Sequence, residues 1–131
     1  MLPMAAARDH SELDAWKLAD EVRTHVYRLC GTPEFQNHLG LWHQLTDAAD
    51  SACSNIAEGF ARFYPKDFAR FLRISRGSLA EIADRLKSAV LRGLVTQADA
   101  DKVVKLTKRA RGACAALIRY LDDAEPPSRD A

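Results

Sequence analysis

The residues of this chain best equipped for chemistry lie in one stretch. Asn55, Glu58, Arg62, Arg73, Arg76, Ser78 and Glu81 bring amide, carboxylate, hydroxyl and guanidinium groups within reach of a single chain reversal. Glu58 and Arg62 are four apart, the spacing of an ion pair on one helix face. Two readings fit the group: a brace of ion pairs that fixes helix register, or a polar pocket that docks a partner. Nucleophilic chemistry is a weaker fit. Cys53 stands between Ser51 and Ser54, but no base lies close in sequence to activate it, and a core thiol is the simpler reading. Metal chemistry has little to work with. Glu21 with His25 and Glu34 with His38 are isolated pairs spaced by four, not the Glu-x-x-His pairs of a di-iron bundle, and the four histidines lack zinc spacing. No phosphate-binding Gly-rich loop, Gly-x-Ser-x-Gly elbow or dinucleotide fingerprint is present. No cofactor, metal or small-molecule substrate is expected.

Two further patterns point to binding. Lys66, Arg70 and Arg73 share one helical face, and Lys102, Lys105, Lys108 and Arg109, with Arg111, dominate another. Such stripes can lie along a phosphate backbone, with binding that weakens steeply with salt; they also serve as ordinary solvated faces. Acidic residues nearer the N-terminus, among them Asp14, Asp20, Glu21, Asp47 and Asp50, give the molecule a second sign, which favours side-by-side self-association as much as RNA binding. The aromatics Phe60, Phe63 and Tyr64, which lie within a turn or so of one another, and Trp42, close to the start of the second helix, form a candidate subunit interface or a plug closing the end of the fold.

The formal net charge of +1 on 131 residues excludes a whole-molecule field as the source of nucleic-acid or membrane affinity, so a local patch must supply it. Cys30, Cys53 and Cys114 are odd in number and lack C-x-x-C spacing, as expected of reduced core thiols. With no secretory leader and no apolar run long enough to span a bilayer, a cytoplasmic protein is expected.

The elements that must hold these groups are all helical in pattern. Leu13, Trp16, Ala19, Val22, Val26 and Leu29 recur in steps of three and four, predicting a first helix from about Glu12 to Cys30, stopped by Gly31, Thr32 and Pro33. A polar stretch around Gln36 to His38 leads into a second helix, about Leu39 to Arg62, with Leu41, Leu45, Ala48 or Ala49, Ala52 and Ile56 inward. Pro65 suits the first turn of a third helix and Asp67 its positive end. Phe68, Leu72, Ser75, Leu79, Ile82, Leu86 and Ala89 then alternate steps of four and three, a heptad seam. Gly93 ends it. Thr96 with Asp99 opens a fourth helix, Gln97 to about Asp122, with Val103, Leu106, Ala110, Ala113, Leu117 and Leu121 inward. Gly59 and Gly77 are unfavourable inside helices unless a neighbouring backbone approaches closely. Four long helices and three short connections predict an all-α, antiparallel up-down-up-down four-helix bundle over residues 11–123, between flexible ends at 1–10 and 124–131.

The run Ser54-Asn55-Ile56-Ala57-Glu58-Gly59-Phe60-Ala61-Arg62, followed by Asp67 to Glu81 with its Arg76-Gly77-Ser78, closely resembles the hallmark of the bacterial four-helix-bundle proteins related to the 23S rRNA intervening-sequence protein. The likeness extends more loosely to Leu13, Ala15, Trp16 and Ala19 and to the spacing of the fourth helix. The resemblance implies a homopentameric assembly of antiparallel bundles without enzymatic activity. It also implies kinship with the accessory variability proteins of diversity-generating retroelements, which bind a reverse transcriptase and nucleic acid through basic surfaces. Where family members commonly carry basic residues ahead of the paired alanines of the second helix, this chain has Thr46 and Asp47, with Asp50 after them, which argues against RNA binding by that face. The function expected is a non-enzymatic oligomeric scaffold that contacts structured RNA or a nucleic-acid enzyme through its basic helix faces. The alternative is a protein adaptor that uses the aromatic corner.

Overall fold

The computed structural model describes residues 7–62 and 64–124. Among them are four α-helices, α1 (Asp14–Cys30), α2 (Leu39–Phe60), α3 (Pro65–Leu91) and α4 (Gln97–Asp122), and no strand. The expectations that fall on residues 1–6, Phe63 and residues 125–131 lie outside the described residues. Packing runs in a closed circuit, α1 on α2, α2 on α3, α3 on α4 and α4 on α1, around one apolar core. No helix among the described residues is long and apolar enough to cross a membrane.

Each helix begins and ends where local chemistry dictates. Asp9 caps a short 3-10 turn, His10–Glu12, by accepting from the Ser11 amide, so α1 starts two residues later than Glu12. Its buried line is Ala15, Ala19, Val22, Val26 and Cys30, with Trp16 and Leu29 half-buried on the flanks. α3 starts at Pro65, whose missing N–H has no partner to lose at that position. It ends in a Schellman turn: Gly93 takes φ +74°, its amide reaches the Val90 carbonyl at 2.9 Å, and the Leu94 amide reaches the Ala89 carbonyl at 2.9 Å. Thr96 caps α4 by accepting from the Asp99 amide at 3.1 Å.

The heptad seam of α3 is buried along its whole length, from Phe68 to Ala89. Ser75 lies fully buried within it because its hydroxyl donates to the Ala52 carbonyl of α2 at 2.7 Å. Contacts between these two helices step down one as they step up the other: Ser51 meets Ser78, Ala52 meets Ser75, and Gly59 lies against Phe68 and Phe71. On α4 Val103, Ala110 and Leu121 are buried as expected, while at the other three positions the inward residue is the next one along the chain. Thr107, Cys114 and Ile118 are buried and Leu106, Ala113 and Leu117 flank them half-buried. The displacement places a hydroxyl in the core, which Thr107 satisfies by donating to the Val104 carbonyl at 2.6 Å.

Two features of the connections differ from the sequence pattern. α2 closes at Phe60, not Arg62, since the chain must already turn there to bring Pro65 onto a new axis. A 3-10 turn, Pro33–Asn37, overlaps the polar stretch before α2, and its Phe35, just ahead of that stretch, is 1% exposed and belongs to the core.

Candidate nucleic-acid interface

The polar residues at the α2–α3 reversal do not form one network. Five of them fall into three small sets, of which only the first crosses between helices, and Arg73 and Arg76 turn to α4. In the first, the Asn55 side-chain amide donates to the Ser51 carbonyl at 2.8 Å and to Ser51 Oγ at 2.9 Å, while Ser51 Oγ and Ser78 Oγ lie 2.8 Å apart across the helices. In the second, Arg62 Nη2 donates to Glu58 Oε1 at 2.7 Å, an exposed pair within α2 and its C-terminal turn. In the third, Glu81 stands 3.8 Å from Arg85 on α3. Arg76 faces the other way, toward α4, where its charge lies near the Cys114 thiol and its Nε is enclosed without a hydrogen-bond partner. Arg73 also reaches α4, with Nη2 2.6 Å from Asp122 Oδ2. A shared pocket is therefore not what these residues make. Of their contacts, Ser51 with Ser78 joins α2 to α3 and Arg73 with Asp122 joins α3 to α4, while Glu58–Arg62 and Glu81–Arg85 are local pairs.

All seven residues of the two basic stripes are exposed. Lys102, Lys105, Lys108 and Arg109 make no ion pair among the described residues, whereas Arg73 is neutralised by Asp122. Arg111 does not join the α4 stripe, being half-buried with its Nε enclosed. The contact between Arg73 and Asp122 also fixes how the stripes relate. Asp122 lies thirteen residues beyond Arg109, so Arg73 sits about 20 Å along the axis from Arg109. The stripes are two separate patches, one beside the C-terminal end of α4 and the other on its first half.

The aromatics are likewise split. Trp42 and Phe60 stand eighteen residues apart on one helix, or about 27 Å, so Trp42 is not part of the corner. Both are half-buried against the bundle's own core. Phe60 meets Phe68 edge-on at a centroid distance of 6.1 Å, and Trp42 meets His43 at 4.9 Å. Tyr64 is half-buried at the start of α3, and Phe63 lies outside the described residues. The aromatic pairing that the sequence left unseen is at Phe71. Arg62 Cζ lies over its ring at 4.8 Å from the centroid and Arg70 Cζ at 4.6 Å. The adjacency of Arg70 and Phe71 was the available signal; the approach of Arg62 from α2 was not.

The three cysteines are free and buried, and burial pushes each thiol up to about 11. A thiolate nucleophile at neutral pH is not available from any of them. In the unfolded chain the same thiols release their protons near 9, so between about pH 9 and 11 the unfolded state binds fewer protons than the native state. Stability is fully present below 9 and is expected to fall as pH rises through that window. Urea titrations at stepped pH, compared with a triple Cys→Ala variant that lacks the slope, check this.

Among the described residues no group of three or more His, Cys, Asp or Glu side chains gathers in a way that could hold a metal ion. A cavity of about 270 Å³ opens between the end of α1 and the start of α2, lined by Cys30, Gly31, Thr32, Gln36, Leu39 and Trp42. No carboxylate or imidazole lines it for acid–base chemistry.

Comparison with known proteins matches the chain to a family. The model of the family described as 23S rRNA-intervening sequence protein covers residues 11–115, from the 3-10 turn before α1 to the second half of α4. No curated protein matches the chain.

Proposed function

The chain belongs to the 23S rRNA-intervening sequence protein family, and we propose that it acts as a non-enzymatic, homo-oligomeric scaffold that contacts structured RNA through the outer face of α4. The observation that carries this reading is the row of four exposed cations, Lys102, Lys105, Lys108 and Arg109, without ion-pair partners among the described residues, on a protein whose net charge is only +1. Unpaired cations concentrated on one face are where phosphates gain most from counterion release. The family's description is not that of an enzyme.

Self-association belongs to the same proposal. Exposed Glu21, Asp47 and Asp50 on α1 and α2, against exposed cations on α3 and α4, give each molecule complementary sides. A pentamer is the state that the family resemblance implies, and repetition of the α4 face around it would turn weak phosphate contacts into useful avidity. The full up-down-up-down course is also proposed, supported by the short connections and the opposed stepping of α2 and α3. Cytoplasmic residence fits the three free thiols. The adaptor reading draws less support, because Phe60 and Trp42 pack on the protein's own core at opposite ends of α2.

The test combines mass and salt dependence. Light scattering at low and high salt should show one oligomer, and that oligomer should take up a structured RNA only at low salt. Lys105→Glu with Arg109→Glu is expected to lower RNA affinity at least tenfold and to flatten the log K against log salt slope by about 2. Unchanged affinity and slope would remove the α4 face from the reading, and a monomer indifferent to RNA would end it.

A further inference from the structure

We propose that the corner between α2 and α3 holds an unpaired RNA base, stacked on the Arg62–Phe71–Arg70 group. This deepens the RNA-scaffold reading and rests on it. Two guanidinium groups lie within 4.8 Å of one phenyl centroid, one arriving from each helix. Arg62 is held there by Glu58 at 2.7 Å. Arg70 is exposed and makes no ion pair among the described residues, so its charge is not neutralised there. Lys66 is exposed one turn earlier on the same face, also without an ion pair, about 6 Å along the axis and in reach of a neighbouring phosphate.

The arrangement is built into the packing. A Cβ on Gly59 would come within 2.8 Å of Phe71 Cβ, so the absence of a side chain there is what seats Phe71 against α2 beside Arg62. A surface meant only to attract negative charge has no use for an aromatic ring between its cations. A ring flanked by guanidinium planes is instead the combination on which unstacked bases settle, and paired bases inside an A-form duplex are inaccessible to it. The corner therefore fits a looped or bulged segment, while the α4 stripe, whose nearest residue Arg109 lies about 24 Å from Arg70 along the axis, fits the paired stem.

Binding of a hairpin with an unpaired purine loop is to be compared with binding of a fully paired RNA of equal length. The wild-type protein is expected to prefer the hairpin about tenfold. Arg70→Lys, which keeps the charge and loses the plane, should abolish that preference, and Phe71→Leu, scored only if its melting profile shows a folded protein, should do the same. Equal affinity of the wild-type protein for both RNAs would overturn the stacking site and leave the scaffold reading intact; binding of neither would overturn both. A polyglutamate peptide that displaces the hairpin as well as unlabelled hairpin does would reassign the corner to acidic protein segments and also overturn the proposal.

Discussion

Phe35→Ala is expected to lower the unfolding free energy by about 3–5 kcal/mol, the range for truncating a fully buried phenyl ring. Domains of this kind have about 5–15 kcal/mol in total, so the variant would stand near the limit of folding. Phe35 sits in the five-residue turn between α1 and α2, and at 1% exposure it is among the largest fully buried side chains of the core. The ring anchors the connection, and its removal leaves a cavity that the stiff helices on either side cannot collapse to fill. Urea unfolding should show a lower midpoint with an unchanged slope. A loss below about 1 kcal/mol would mean that the turn moves freely and that Phe35 is not a core residue.

Gly59→Ala is expected to lower stability by about 1–3 kcal/mol, in the range of an overpacked core, although alanine is the better helix former. Its Cβ would meet Phe68 Cδ1 at 2.7 Å and Phe71 Cβ at 2.8 Å. The ring of Phe68 is itself fixed by Phe60, and a Cβ cannot swing aside, so the first turns of α3 must shift away from α2. Gly77→Ala is the internal control. Nothing lies within 4 Å of a Cβ there and the position is exposed, so this substitution should leave the isolated bundle unharmed or stabilise it by up to about 1 kcal/mol. Thermal unfolding of both variants should move in opposite directions. If Gly59→Ala were neutral, the close approach of α2 and α3 at the corner would be refuted, and with it the seating of Phe71 beside Arg62.

The sequence and the structure meet most closely where a rule acts over a few residues. Pro65, Gly93 and Thr96 mark helix ends through backbone chemistry that needs no distant partner, and all three act as their types predict. The α3 seam was legible from Phe68 to Ala89 because seven residues in strict four-three alternation leave one face to bury. Even the need for a close neighbour at Gly59 could be read, though not its identity, and the same rule applied to Gly77 found open space. On α4, by contrast, side chains such as Leu106 and Thr107 border the same seam, and periodicity cannot choose between adjacent residues when both lines carry apolar groups. Packing against α1 and α3 decided it, in favour of the line that includes a hydroxyl able to bond its own helix.

By itself the sequence determined four amphipathic helices, their ends and most of their buried faces, because these follow from local propensity and a repeat that every turn restates. Tertiary structure alone decided which side chains meet. It drew Phe35 into the core, since a five-residue turn is too short to show a period. It turned Arg76 toward α4 and parted the two basic stripes through the contact of Arg73 with Asp122. It also set Arg62 and Arg70 on one phenyl ring. Each of these depends on the angle and register at which one helix lies against another, and those are fixed by the fit of whole faces, which no single stretch of sequence contains.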